Sequence, residues 1–129
     1  MRQPEFDADG WCLEDGEQRT REHPDKFEIP ELALREILEP GDLAKLIFRI
    51  AVDDENEPEA FERMWVIVRA RIPGGYMGLL DNEPSKIDEN DELWRGTELP
   101  FQAKHIIAAE HGNAESRSLA RLPARRSWS

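Results

Sequence analysis

Residues 61–107 specify the architecture of this chain, and they read FERMWVIVRARIPGGYMGLLDNEPSKIDENDELWRGTELPFQAKHII. Apolar side chains at even positions from Met64 to Ile72 alternate with the residues between them, and this period of two predicts a half-buried strand. Pro73-Gly74-Gly75 predicts a tight turn, because glycine supplies the positive φ that hairpins require. Tyr76 to Asn82 is then the returning arm of a hairpin, and Glu98 to Gln102 is a later strand.

The region before this stretch adds one helix and one strand. Glu31 to Leu38 predicts a short helix, in which Glu31 and Arg35 form an i,i+4 ion pair. Leu43 to Val52 predicts a strand, since its even-numbered residues are apolar and share one face. The chain is therefore predicted to be α+β and mainly β. We expect a small antiparallel SH3-like barrel or bent sheet of about five strands, with one short N-terminal helix.

Charge divides the chain into three parts. Residues 1–25 hold eight acids and three bases. We interpret them as an acidic N-terminal extension, partly ordered, in which Trp11 and Leu13 are candidates for docking on the domain. Residues 26–110 form the predicted β-barrel-like domain. Residues 111–129 hold one acid and four arginines, and their composition predicts a flexible basic tail.

Composition limits the class of protein and of partner. The chain has 129 residues, enough for one domain, and a formal net charge of −11. An acidic body repels phosphate backbones, so nucleic acid and anionic membranes are disfavoured as partners, whereas a basic peptide or protein is attracted. Cys12 is the single cysteine, and the N-terminus lacks a signal-peptide pattern. These features predict a cytoplasmic protein that is a monomer or a weak dimer.

The sequence presents no nucleophile–base pair, metal cluster or phosphate-binding loop. The acidic loop from Asp53 to Glu59 offers oxygen ligands for a hard cation, but a loop of this density is more often simply solvated. The run that begins at Asp88 resembles the opening of a calcium loop, yet Leu93 occupies the sixth position, where the sharp turn needs glycine. The three histidines, His23, His105 and His111, are far apart. We therefore predict no catalytic residue, cofactor or metal.

Trp94 is the most suggestive candidate for binding, because it lies in an acidic loop. A tryptophan among acids can receive an arginine or lysine from a partner, although such a ring more often folds back on the barrel. The predicted function is a non-catalytic protein-binding module that recognises a basic or proline-containing segment. The alternative is a small hydrolase that uses paired carboxylates, with or without a divalent metal. The predicted site combines aromatic anchors with acids: Trp94, Tyr76, Asp81, Glu83, Asp91 and Glu92.

Five segments carry a resemblance to a bacterial family of small β-rich proteins of unknown function. They are Ile29-Pro30, the run from Pro40 to Phe48 (PGDLAKLIF), Glu62 to Val66 (ERMWV), Gly78 to Pro84 (GLLDNEP) and Leu99 to Ile107 (LPFQAKHII). The match covers roughly residues 27–107. Some members of the family are related to immunity proteins of bacterial toxin systems. The resemblance implies a small β-rich domain and an immunity-like binding role, and it brings no catalytic residues with it.

Overall fold

The computed structural model describes residues 2–52, 55–82 and 93–129. Six antiparallel strands form a curled half-barrel sheet with few short helices, which confirms the prediction of a mainly β, α+β fold of the SH3-like kind. The strands are β1 (Trp11–Leu13), β2 (Leu43–Ala51), β3 (Glu59–Ile72), β4 (Gly75–Leu80), β5 (Glu98–Phe101) and β6 (Ile106–Glu110). The helices are α1 (Phe6–Asp9), α2 (Gly16–Glu22), α3 (Leu32–Arg35) and α4 (Ala114–Leu119), and a 3₁₀ turn covers Ala103–His105.

The strand order is β1-β2-β3-β4-β5, and β6 returns to pair with β2. The predicted hairpin is confirmed: β3 pairs with β4 from Ile72 opposite Gly75 to Val66 opposite Leu80. Both β1 and β6 lie against β2, the first opposite residues 48–50 and the second opposite residues 43–46. The half-barrel is therefore bounded on this side by two short strands in succession.

The core contains the even-numbered apolar residues of β2 and β3, as the period of two predicts. Burial of this apolar surface is the main favourable term for a domain of this size. Odd-numbered Ile47 and Ile67 are also buried, at 4% and 2% exposure, although they lie on the opposite face of the sheet. The core residues from the two strands are Ala44, Leu46, Phe48, Ile50, Met64, Val66 and Val68.

The helix before β2 is shorter than predicted, and its arginine has a different partner. Only Leu32–Arg35 is helical, and Arg35 at its end is buried, at 5% exposure. Arg35 pairs with Glu17 of α2 at 2.7 Å and donates to the carbonyl oxygens of Pro30 and Ala103. The predicted Glu31–Arg35 pair is thus replaced by a contact that joins α2, α3 and the 3₁₀ turn.

Both ends of the chain pack against the sheet. The expected docking of the N-terminal extension is seen at Trp11, which is 2% exposed and belongs to the core cluster. The predicted flexible basic tail, residues 111–129, contains a helix and a backbone pairing. Residues 114–119 form α4, capped by Asn113, and the backbone at Arg126 pairs with Thr97 beside β5. No helix in the three described ranges is long and apolar enough to cross a membrane.

Candidate functional site

Trp94 begins a tight turn that leads into β5. The Thr97 hydroxyl donates to the Trp94 carbonyl oxygen at 2.6 Å, and the Thr97 amide donates to the same oxygen at 3.1 Å. Gly96 has a φ of +91°, a conformation that strongly favours glycine, so the sequence Arg95-Gly96-Thr97 determines the turn. Thr97 is 3% exposed, and its buried hydroxyl holds the Trp94 backbone in a fixed position.

An arginine of the same chain, Arg126, lies over the ring of Trp94. The guanidinium carbon of Arg126 lies 5.2 Å from the ring centroid, within the range of a cation–π contact. The backbone around Arg126 runs parallel to the start of β5: the Glu98 amide donates to the Arg126 carbonyl oxygen at 2.8 Å, and the Arg125 amide donates to the Gly96 carbonyl oxygen at 3.0 Å. The basic segment therefore joins the edge of the sheet through an isolated parallel bridge. Backbone pairing with a sheet edge is a recurring mode of peptide recognition.

Trp128 fills a second position two residues further along this segment. Its ring lies edge-on to Trp11, with centroids 5.8 Å apart, and the Arg2 guanidinium lies 4.3 Å from the Trp128 centroid. The Trp128 indole N–H donates to the Arg2 carbonyl oxygen at 3.1 Å, and its backbone amide donates to a Glu98 carboxylate oxygen, also at 3.1 Å. We call the surface formed by Trp94, residues 96–98, Trp11 and Arg2 the β5 groove.

Charged side chains form ion pairs at the end of the groove that holds Trp128. Arg2 and Asp9 form two hydrogen bonds of 2.8 Å. This pairing with Arg2 lowers the pKa of Asp9, opposed by burial, and the positive charge of Arg126 contributes a smaller lowering. Glu98, whose carboxylate accepts from Trp128, also lies 3.7 Å from Arg69 of β3. Asp9 and Glu98 thus place two carboxylates at the end of the groove that holds Trp128.

The structure brings together some of the predicted binding residues and separates others. Trp94 is half-buried beneath Arg126, and Asp81 accepts a hydrogen bond from Arg95 at 3.2 Å. Tyr76 is 2% exposed, so its predicted role as a surface anchor is wrong. Its hydroxyl donates to the Arg35 carbonyl oxygen at 2.7 Å and accepts from the Leu38 amide at 3.1 Å, and the ring stacks on Phe101. Glu83, Asp91 and Glu92 lie outside the described residues.

Sequence reasoning missed most of the β5 groove. The sequence predicts a flexible tail at Arg126 and Trp128 and a strand at Glu98, with no contact between them. The one available signal was the tryptophan itself, since a large aromatic residue in a polar segment predicts a packing contact. Two partners of Trp128, Arg2 and Trp11, are more than a hundred residues earlier in the chain, and no local pattern links such distant positions.

The carboxylates beside α2 are engaged in structural contacts. A depression beside α2 is lined by Glu14, Asp15 and Glu22. Glu14 pairs with Arg19, Asp15 caps the helix by accepting from the Gln18 amide, and Glu22 accepts from the Gln18 side chain. Among the described parts of the chain, no group of three or more His, Cys, Asp or Glu residues is placed to hold a metal ion.

The cysteine and the most buried histidine are also engaged structurally. Burial, followed by the negative charge of Glu14, raises the pKa of Cys12, which favours the unreactive thiol over the thiolate. His105 Nδ1 accepts a hydrogen bond from the Gln102 amide at 2.9 Å and helps to close the 3₁₀ turn before β6.

No family model, curated protein or solved structure matches this chain. The resemblance to a bacterial family of small β-rich proteins therefore stays a prediction.

Proposed function

We propose that this protein is a non-catalytic binding module that captures an extended, arginine-bearing segment of a partner protein in the β5 groove. The observation that carries the proposal is the position of Arg126, whose guanidinium lies over Trp94 while its carbonyl oxygen accepts from the Glu98 amide. An arginine held in this way combines a cation–π contact with backbone pairing to the sheet. A partner segment of similar chemistry would make the same contacts.

The overall charge supports the same class of partner. A net charge of −11 attracts basic segments during diffusional encounter, and this attraction weakens as salt screens it. The resemblance to immunity-related proteins extends the proposal to a toxin as the partner that carries the segment. The hydrolase alternative is less favoured, because Glu14 and Asp15, which line the depression beside α2, are engaged in an ion pair and a helix cap.

Binding of a synthetic peptide to a chain with an accessible groove tests the proposal. The probe is a fluorescently labelled octapeptide with the sequence of residues 122–129, LPARRSWS. The protein is the full chain with Arg126→Ala, which removes the side chain that covers Trp94. We expect saturable binding that weakens as NaCl is raised from 0.05 to 0.5 M, conditions that shorten the screening length from roughly 14 Å to about 4 Å.

A second substitution locates the site. Adding Trp94→Ala to the Arg126→Ala chain should raise Kd about tenfold, the effect of losing a contact of about 1.4 kcal/mol. Trp65→Ala is the matched control, because it removes a half-buried tryptophan that lies on β3, away from the groove. Equal loss in both variants, or no peptide binding by a chain that circular dichroism shows to be folded, would contradict the proposed function.

A further inference from the structure

We propose that residues 122–129 are an internal ligand of the β5 groove, and that they define the partner as an extended segment with the pattern Arg-x-Trp. This inference rests on the proposed function and deepens it. It adds two claims. The groove recognises two side chains of the bound segment rather than one, and residues 122–129 must leave the groove before a partner segment can bind.

The spacing of the two side chains supports the Arg-x-Trp pattern. In an extended chain, residues i and i+2 point to the same side. Arg126 reaches Trp94, and Trp128 reaches the cavity between Trp11 and Arg2. Ser127, which lies between them, is exposed. The groove therefore has two receiving positions separated by one residue of backbone, and Glu98 holds the backbone at both by donating to Arg126 and accepting from Trp128.

The contacts that hold the segment are of the kind that a competing peptide can replace. Arg125, Arg126 and Ser127 are exposed, and Trp128 is half-buried. Near the start of β5, the segment makes two backbone hydrogen bonds to the sheet. Strand β1 has the contrasting character of a permanent element, since Trp11 is 2% exposed and lies within the core cluster. A segment with little burial belongs to the low-stability end of a structure, from which regulatory elements are drawn.

Tethering makes the internal segment an effective competitor even if its contacts are weak. A ligand joined by a short linker has an effective concentration of about 1 mM. If the free peptide binds an open groove with a Kd of about 0.1 mM, the tethered copy occupies the groove about ten times more often than it leaves it vacant. The apparent Kd of an added peptide for the wild-type chain should then be about tenfold higher than for a chain whose own segment has been weakened.

The experiment compares the labelled LPARRSWS peptide on three full-length chains: wild type, Arg126→Ala and Arg121→Ala. Arg121 is the matched control, because it is an exposed arginine five residues before Arg126, and its replacement changes the net charge equally. We expect a roughly tenfold lower Kd for Arg126→Ala than for the wild type, and wild-type affinity for Arg121→Ala. On the Arg126→Ala chain, peptides with alanine in place of the second arginine or of the tryptophan should each bind at least about tenfold more weakly.

An NMR measurement on the wild-type protein tests the inference even if the Arg126→Ala chain fails to fold. The indole N–H of Trp128 bonds to Arg2 in the wild type, so its NMR signal should move to the position of a solvent-exposed indole as excess LPARRSWS displaces the segment. Peptide binding without this movement, or equal Kd values for wild type and Arg126→Ala, overturns the internal ligand and leaves the proposed function standing. Failure of every folded chain to bind any peptide overturns the proposed function itself.

Discussion

His105 shows how burial fixes the protonation state of a single residue. The side chain is 6% exposed, and burial, aided by the positive charge of Lys104, lowers its pKa to about 4. The carboxylates of Asp15 and Glu17 oppose this effect without reversing it. The neutral ring is the form that accepts the Gln102 amide at Nδ1. The fold therefore holds the His105 ring unprotonated at neutral pH.

We expect the stability of the protein to fall as the pH decreases from about 6.5 to about 4 because of His105. The folded pKa lies below the unfolded value of 6.5, so the unfolded chain binds more protons in this window and acid favours unfolding. At about 1.4 kcal/mol per pH unit, the full contribution is about 3 kcal/mol. Urea unfolding at pH 4.5 and 7.5 measures it in the wild type and in His105→Asn, which keeps an acceptor near the position of Nδ1.

The contribution of His105 is the difference between the two pH dependences, because other titrating groups are common to both chains. The wild type should lose more free energy of unfolding between pH 7.5 and pH 4.5 than His105→Asn. A titration of the His105 ring by NMR gives an independent reading, and a midpoint above pH 6 would be incompatible with the buried, neutral ring.

At the scale of the element, the central hairpin depends on a residue without a side chain. Gly78 of β4 lies opposite Val68, next to the bulge between Val68 and Ala70. A Cβ at Gly78 would lie 2.5 Å from Val66 Cγ1, 2.8 Å from the Ile67 carbonyl oxygen and 3.0 Å from Phe101 Cε1. Strand β4 therefore approaches both of its neighbouring strands at Gly78, and the close contacts leave no space for a side chain.

We expect Gly78→Ala to lower the free energy of unfolding by about 1–3 kcal/mol, the usual cost of forcing extra volume into a packed core. Part of this cost comes from Val66, so Gly78→Ala in a Val66→Ala background should cost less than it does in the wild type. Gly74→Ala is the control: its φ of +83° disfavours alanine, but nothing lies within 4 Å of the added Cβ. Its cost should be the same in both backgrounds when measured by thermal unfolding, and equal coupling to Val66→Ala for the two glycines would refute the packing explanation.

The elements that sequence could predict are those whose pattern is local. Strands β2 and β3 and the turn at Pro73-Gly74 follow from alternation and from glycine, which act over a few residues. The three-residue strand β1 and the four-residue α1 are too short to produce a period. Strand β1 pairs with β2, and its Trp11 packs against Phe48 with ring centroids 5.7 Å apart, so its contacts join positions far apart in sequence. The same reason hides the pairing of Arg126 with β5, so the sequence located Trp94 but not the arginine above it.

At the scale of the whole molecule, Trp128 joins the two ends of the chain across the sheet. It contacts Trp11 of β1, receives the Arg2 guanidinium over its ring and donates to Glu98 of β5. Strands β1 and β5 lie at opposite ends of the main strand order, so no direct backbone pairing connects them. Trp128 therefore couples two ends of the half-barrel that the sheet alone leaves apart.

We expect Trp128→Ala to loosen both ends of the half-barrel together while leaving its centre intact. The edge-on contact with Trp11 and the Arg2 stack together contribute about 1–2 kcal/mol, enough to speed local opening roughly tenfold. Hydrogen exchange followed by NMR should show faster exchange at the Glu98 amide, which bonds to Arg126, and at the Ala51 amide, which bonds to Gly10 beside β1.

The Val68 amide, bonded to Asp42 at the centre of the sheet, should keep its protection relative to global unfolding. Leu122→Ala, which removes a side chain that is 53% exposed, should change none of the three. If Glu98 alone responds, then the two ends open independently and Trp128 belongs only to the β5 groove.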